Sequence, residues 1–428
     1  MATSLQTENA PSIWLVVPHF VFGALAFLTL TILYILAGAD LLGPFFGGKI
    51  LAITHLAVLG WGTMIIFGAL YQLIPVVFET ALFSEKLGHL TFWVFAISII
   101  LLVYSFWNSA FTTILLFAST FAFTALALFI VNVLLSTRKG VNNIHTRFVS
   151  GAVIWLLSTA LLGLLISFNF KYQFFSELHL HYLKVHAHLG LIGWFVSLII
   201  GVSTILIPMF LVSHGLNEKR LNHSFYLING GLLLLTLDWL TLRGTVIIPL
   251  YWLLISIGII FYLSYVKEAY TKRLRKQLDV GMKHTVISVL SLIIPIVVSF
   301  IIQFFLNLEN PVFFHLTTLY GFSIIFGLIT PIILGQTYKT LPFIVWLDKY
   351  KQYVGKNKTP MPKDLYSNTL AVIQMYAYFL GIISIIWALL FSNNTMLNLG
   401  GYLLLVTAII YNINVFKIVL HKTKLESL

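Results

Sequence analysis

Residues 184–208 read K-V-H-A-H-L-G-L-I-G-W-F-V-S-L-I-I-G-V-S-T-I-L-I-P. After its first five residues the stretch is almost wholly apolar, long enough to cross a bilayer as one helix. It opens with His186 and His188, titratable groups that need a partner or a ligand in an apolar phase. The chain carries the same pattern from His55 to Pro75, H-L-A-V-L-G-W-G-T-M-I-I-F-G-A-L-Y-Q-L-I-P. Counted from His55 and His188, both copies read H-L-x-x-x-G-W, with a second glycine (Gly68, Gly201) and a later proline (Pro75, Pro208) at matching distances. A third, looser copy begins at His315, H-L-T-T-L-Y-G-F-S-I-I-F-G, with its glycines displaced by one.

Composition decides the class. With 59% hydrophobic and 9% charged residues, the chain has too little polar surface for a soluble shell. It reads as an all-α integral membrane protein. The net charge of +12 does not point to nucleic acid, because the basic residues fall between apolar runs, as orientation signals do. The absence of cysteine excludes disulfides, thiolate metal ligands and covalent c-type haem attachment. The first run lacks the basic leader and small-residue cleavage site of a signal peptide, so it is expected to be retained as a span.

Apolar runs fall at about 13–37, 49–78, 89–107, 110–135, 147–168, 184–212, 222–240, 245–266, 284–305, 311–337, 366–391 and 396–420. Twelve transmembrane helices are expected. With the N-terminus inside, 21 Lys and Arg lie on inner segments and four (Lys49, Lys171, Lys184, Arg243) on outer ones. That asymmetry puts both termini in the cytoplasm, and a multi-pass protein of the cell (plasma) membrane is expected. No soluble domain interrupts residues 1–428, so a single transmembrane domain is expected. It divides into three pseudo-symmetric sets of four helices, about 13–140, 147–276 and 284–424, with a histidine-led run second in each.

On this layout His55, His188 and His315 are expected at one depth, about 6–9 Å below the outer helix mouths. One buried histidine is commonly a structural residue. Three at one level point to ligation, and imidazole suits haem iron and copper. With no cysteine and few carboxylates, haem fits better. Gly60, Gly68, Gly193 and Gly201 leave room for a macrocycle or for a close helix neighbour, and Trp61 and Trp194 flank a ring or fill a core. His186 and His188, two apart on a helix, point about 200° from each other and cannot share one metal ion. His179 and His181 are expected in the outer loop before them, where solvated histidines are the plain reading and a divalent-metal cluster the sharper one.

These residues resemble a family. Twelve spans with histidines on the second, sixth and tenth look like the catalytic subunit of the haem-copper oxidases and nitric oxide reductases. The stretch from His55 through Gly68-Ala69-Leu70-Tyr71-Gln72-Leu73-Ile74-Pro75 is similar to the second helix of the nitric oxide reductases, whose histidine binds low-spin haem. The family's tenth helix carries H-x-H, and Phe313-Phe314-His315 keeps only the second of these histidines. The resemblance therefore implies one low-spin haem b, or two, held by His55 and His315. Because H-A-H-L on the sixth run is also similar to the tenth-helix motif, His55 with His188 stays open as the pair. The family's helix-seven His-His pair is missing from S-F-Y-L-I-N-G-G-L-L-L-L, and no glutamate follows His188. Copper or another second metal is thus not supported by the motifs. A weaker similarity is to the NnrS-type haem membrane proteins of nitrosative stress.

The expected site residues are His55, His315 and His188 with Gly60, Trp61, Gly193, Trp194 and Arg243 around the haem, and His186 as a further metal-binding candidate. Arg243 and Lys184 are expected near the haem propionates, or as snorkelling interface cations. Three functions compete. The first is a haem-binding protein in redox relay or in response to nitric oxide or oxygen. The second is a working oxidase or nitric oxide reductase whose second metal uses His186 and His181. The third is a cofactor-free transporter. Expected partners are membrane lipid and either quinol or a redox partner subunit, with no nucleic acid.

Overall fold

Short polar side chains start many of the helices. Ser12, Ser84, Asn143, Asp279, Ser367 and Asn393 each accept a hydrogen bond from a backbone N–H of the first turn they precede. From these caps run helices whose apolar residues are continuous rather than one-sided, the pattern of a chain that meets lipid outside and protein inside. The computed structural model describes residues 9–138, 140–305 and 311–423; Lys139 and Lys424, counted among the basic residues above, lie outside them.

Among the described residues twelve helices are long and apolar enough to cross a membrane. Spans 1 to 4 are Ile13–Leu42, Gly48–Val77, Glu85–Trp107 and Thr113–Thr137. Spans 5 to 8 are Ile144–Tyr172, His179–Leu211, Lys219–Leu242 and Ile248–Thr271. Spans 9 to 12 are Val280–Phe305, Val312–Tyr353, Asn368–Phe391 and Asn394–Val419. Large apolar side chains such as Trp93, Phe117, Ile260 and Ile383 stand on their outer faces more than half exposed, as a lipid-facing surface requires. The chain is a multi-pass, all-helical membrane protein.

Each expected run coincides with a span; several ends move, and two of them change the reading of named residues. Span 6 begins at His179, so His179 and His181 are helical rather than in a loop. Its first turn is held by side chains: His179 stacks on Phe170 at 4.3 Å and its Nε2 lies 3.0 Å from the Asn169 amide nitrogen. Span 10 continues to Tyr353 instead of ending near 337. Its polar extension is pinned by the Trp346 indole donating to the Pro360 carbonyl at 2.6 Å, and by Tyr350 against His421 at 2.8 Å.

The spans gather into two compact units. The first takes Leu73–Gln277 and continues from Leu292; the second takes Pro11–Gln72, Leu278–Ser291 and the chain from Pro311 onward. In the first unit spans 3 and 4 form a hairpin, as do spans 7 and 8, and span 5 packs along span 6. In the second, spans 11 and 12 form the hairpin, span 1 packs on span 2, and the opening half of span 9 packs on span 10. Span 9 changes unit where its helix breaks between Leu290 and Ile293. Pro295 explains the break, since its ring cannot coexist with a regular turn and it has no N–H to give.

Candidate functional site

Spans 2, 6 and 10, whose histidines the sequence singled out, share an uncommon feature, which also occurs at the end of span 7 over Asp238–Leu242. Each contains a π-helical segment, Leu56–Thr63 in span 2, Leu189–Val196 in span 6 and Ser323–Ile329 in span 10. Such widened turns are rare and recur at functional sites. In spans 2 and 6 the segment begins on the residue after His55 and after His188.

His55 lies in the second unit, partly buried. Its Nδ1 is 2.8 Å from the carbonyl oxygen of Leu51, one turn back. A carbonyl only accepts, so Nδ1 carries the proton and the neutral ring presents the lone pair of Nε2 away from the backbone. That is the tautomer through which imidazole ligates metals. His19 and His223 hold the same anchor on Leu15 and Lys219, so the anchor alone is a helix habit. Near His55 the glycine and tryptophan are packed: Trp61 is buried, stacked on Phe27 at 4.5 Å and edge-on to Tyr411 at 5.2 Å, with Gly60 buried beside it.

His315 belongs to the same unit but sits close to the start of span 10, where its Nε2 is 3.4 Å from the hydroxyl of Ser392, the residue capping the end of span 11. Its neighbour Phe314 faces Phe45 in the segment before span 2, ring centres 6.3 Å apart. His55 lies two turns inside span 2.

His188 lies in the first unit. Its Nδ1 is anchored on the Lys184 carbonyl at 2.6 Å, and Trp239 and Trp252 stand against its ring at 5.1 and 5.2 Å. The indoles occupy space that a macrocycle at this imidazole would need. His186 turns the other way, its Nδ1 3.0 Å from the Thr159 carbonyl on span 5, beside Gly163. His181 bonds the Trp239 carbonyl at 2.8 Å. The four histidines of the H-L-H-Y-L-K-V-H-A-H stretch thus face different partners. Among the described residues no three His, Asp or Glu side chains come together as a metal-binding group.

The remaining candidates are engaged in structure. A Cβ at Gly193 would lie 2.6 Å from the Trp155 Cβ, so the room there belongs to span 5. Trp194 is buried against Phe129 and Phe195. Arg243 pairs with Glu177 at 3.0 Å, and the Lys184 ammonium lies over the Trp239 ring at 5.1 Å.

Two buried histidines received no role from the sequence. His19 and His284 are both fully enclosed. His19 packs edge-on to Tyr71 at 5.6 Å; His284 lies against Phe379 at 5.3 Å, and neither of its ring nitrogens has a hydrogen-bond partner among the described residues. A Cβ at Gly68 would fall 2.7 Å from the His19 Cβ, and one at Gly335 2.7 Å from the His284 Cβ. The signal was the glycine, which marks where a neighbouring helix comes close.

Comparison with known proteins adds no assignment: no protein-family profile matches the chain, and no curated protein matches it.

Proposed function

We propose that this chain is a haem-binding, multi-pass membrane protein of the haem-copper oxidase and nitric oxide reductase type, without the full two-metal site. Its role is redox relay or response to nitric oxide or oxygen in the cell membrane. Its twelve spans form three pseudo-symmetric sets with both termini in the cytoplasm, which puts His55 in the outer half of the bilayer. Membrane lipid surrounds it, and quinol or a redox partner subunit supplies electrons.

The observation that carries this reading is His55. An imidazole two turns inside an apolar helix, with Nδ1 tied to the Leu51 carbonyl, is held in the tautomer that ligates metals through Nε2. The donor fits haem iron. His188 fits less well, because Trp239 and Trp252 crowd its ring. When bound, haem b supplies one-electron chemistry and an iron that takes small ligands. His55 would hold it through Nε2. Arg243 and Lys184 would have to leave Glu177 and Trp239 to reach a propionate.

The test is the absorption spectrum of purified, haem-supplied protein after dithionite reduction. A Soret and α-band pair that disappears in His55→Ala supports the reading. A preparation without a Soret band ends it.

A further inference from the structure

We infer that span 10 is in register with span 2 at Phe322, not at His315, so that it offers no imidazole at the level of His55, and that the iron held there keeps a position open to a small diatomic ligand. The second half of this inference rests on haem binding at His55; the register does not.

Three features set the register. The π segments begin on the residue after His55, after His188 and after Phe322. Counted from those three residues, Gly60, Gly193 and Gly327 stand at the same step, as do Gly68, Gly201 and Gly335, and then Pro75, Pro208 and Pro342. The middle glycine of each series also meets the same place on the span before it. Gly68 faces the Val16 carbonyl and the His19 Cβ, Gly201 the His145 carbonyl and the Phe148 Cβ, and Gly335 the Gly281 carbonyl and the His284 Cβ. In all three the carbonyl comes three residues before the contacted side chain. A chance alignment would not reproduce a helix defect, a residue series and a packing contact together.

Levels within the second unit agree. The Trp61 indole donates to the Thr330 hydroxyl at 3.2 Å, which ties span 2 to span 10 at one height. Counting back from that bond, His55 is six residues away, Phe322 eight and His315 fifteen. At about 1.5 Å per residue these are heights of roughly 9, 12 and 22 Å. Two axial imidazoles flank one iron and must lie at nearly one level. Phe322 meets that condition and His315 misses it by about 13 Å. The other described histidines of this unit do not replace it: His19 and His284 pack on Gly68 and Gly335, far along the spans, and His421 lies beyond span 12. Span 10 thus offers an apolar residue rather than an imidazole at the height where His55 would hold a haem, which suits a neutral diatomic ligand.

The experiment uses the full-length, haem-supplied protein, with carbon monoxide as the probe. The wild type and His315→Ala should show the same reduced spectrum and the same prompt carbon monoxide shift. Phe322→His should turn the haem six-coordinate and low-spin and slow carbon monoxide binding at least tenfold, while Phe322→Leu should change neither. A wild-type haem that is six-coordinate and inert to carbon monoxide until His315→Ala or His188→Ala is made would overturn the open position. So would Phe322→His with an unaltered spectrum. If no Soret band forms, haem binding has failed and the register is read without it. The chain has no cysteine, so paired cysteines cross-link without background. His55→Cys with Phe322→Cys should join through a short bifunctional maleimide, and His55→Cys with His315→Cys should not; the opposite result would refute the register.

Discussion

Gly335 approaches the backbone of Gly281 so closely that a Cβ at 335 would lie 2.6 Å from the Gly281 carbonyl oxygen. The contact is backbone against backbone, so no rotamer change relieves it. It sets how near span 10 can come to span 9.

Gly335→Ala should therefore destabilise by about 2 kcal/mol or more, the usual cost of forcing extra volume into a packed contact. Gly230→Ala is the control: a Cβ there meets nothing within 4 Å, and alanine is the better helix former by up to about 1 kcal/mol. Thermal unfolding in detergent should separate the two, with Gly335→Ala melting lower and Gly230→Ala equal or higher. Equal melting of both would mean that spans 9 and 10 separate easily at this point.

His284 invites the reverse change. Both of its ring nitrogens lack hydrogen-bond partners in a fully enclosed site, and leaving such groups unsatisfied costs about 1–3 kcal/mol. Span 5 has Phe148 at the corresponding contact with Gly201. His284→Phe should keep the fold and raise the melting temperature. A large loss of stability would show that the imidazole makes a bond that matters, for instance to a buried water.

The spans were legible in the sequence because crossing a membrane is a property of run length and apolarity. The ends of spans 6 and 10 were not, since they depend on contacts such as His179 on Phe170 and Trp346 on Pro360. The third copy was visible, and its register is the open matter. Aligning on the histidine, the chemically conspicuous residue, selects His315, whereas aligning on Gly327, Gly335 and Pro342 selects Phe322, the register proposed above. Of the two uses the sequence left open for the glycines of spans 2 and 6, Gly68 and Gly201 serve as close helix neighbours, seating His19 and Phe148.

Asp238 is a buried carboxylate at the end of span 7, and it organises the turn that follows. It accepts from the Thr245 backbone N–H at 2.9 Å and from the Thr245 hydroxyl, across a turn in which Arg243 has positive φ. Asp238→Ala leaves that N–H without its acceptor, a loss of about 1–2 kcal/mol. The open fraction of the turn should rise roughly five- to thirtyfold. Limited trypsin cleavage after Arg243 reads this directly and should quicken in the variant. An unchanged rate would place the hold on the turn elsewhere, with Glu177 and Arg243 the next pair to break.

Alkaline pH should probe the other end of span 10. Tyr366, between spans 10 and 11, stacks on Tyr338 at 4.8 Å, and burial together with the Asp279 carboxylate pushes its phenol above the ordinary value of 10.0. Below that value the phenol is protonated in folded and unfolded chains alike, so its contribution to stability is fully present. As pH rises past it, the unfolded chain ionises first and the folded one resists, so stability is lost on the way to the higher folded value. Melting temperature should fall as pH rises past about 10, where the unfolded phenol ionises and the folded one does not. Phenylalanine at this position cannot ionise, so Tyr366→Phe should make that fall shallower while leaving the melting temperature at neutral pH nearly unchanged, since the stacking on Tyr338 is kept. A variant with the same alkaline slope as the wild type would show that Tyr366 ionises as freely in the folded protein as outside it.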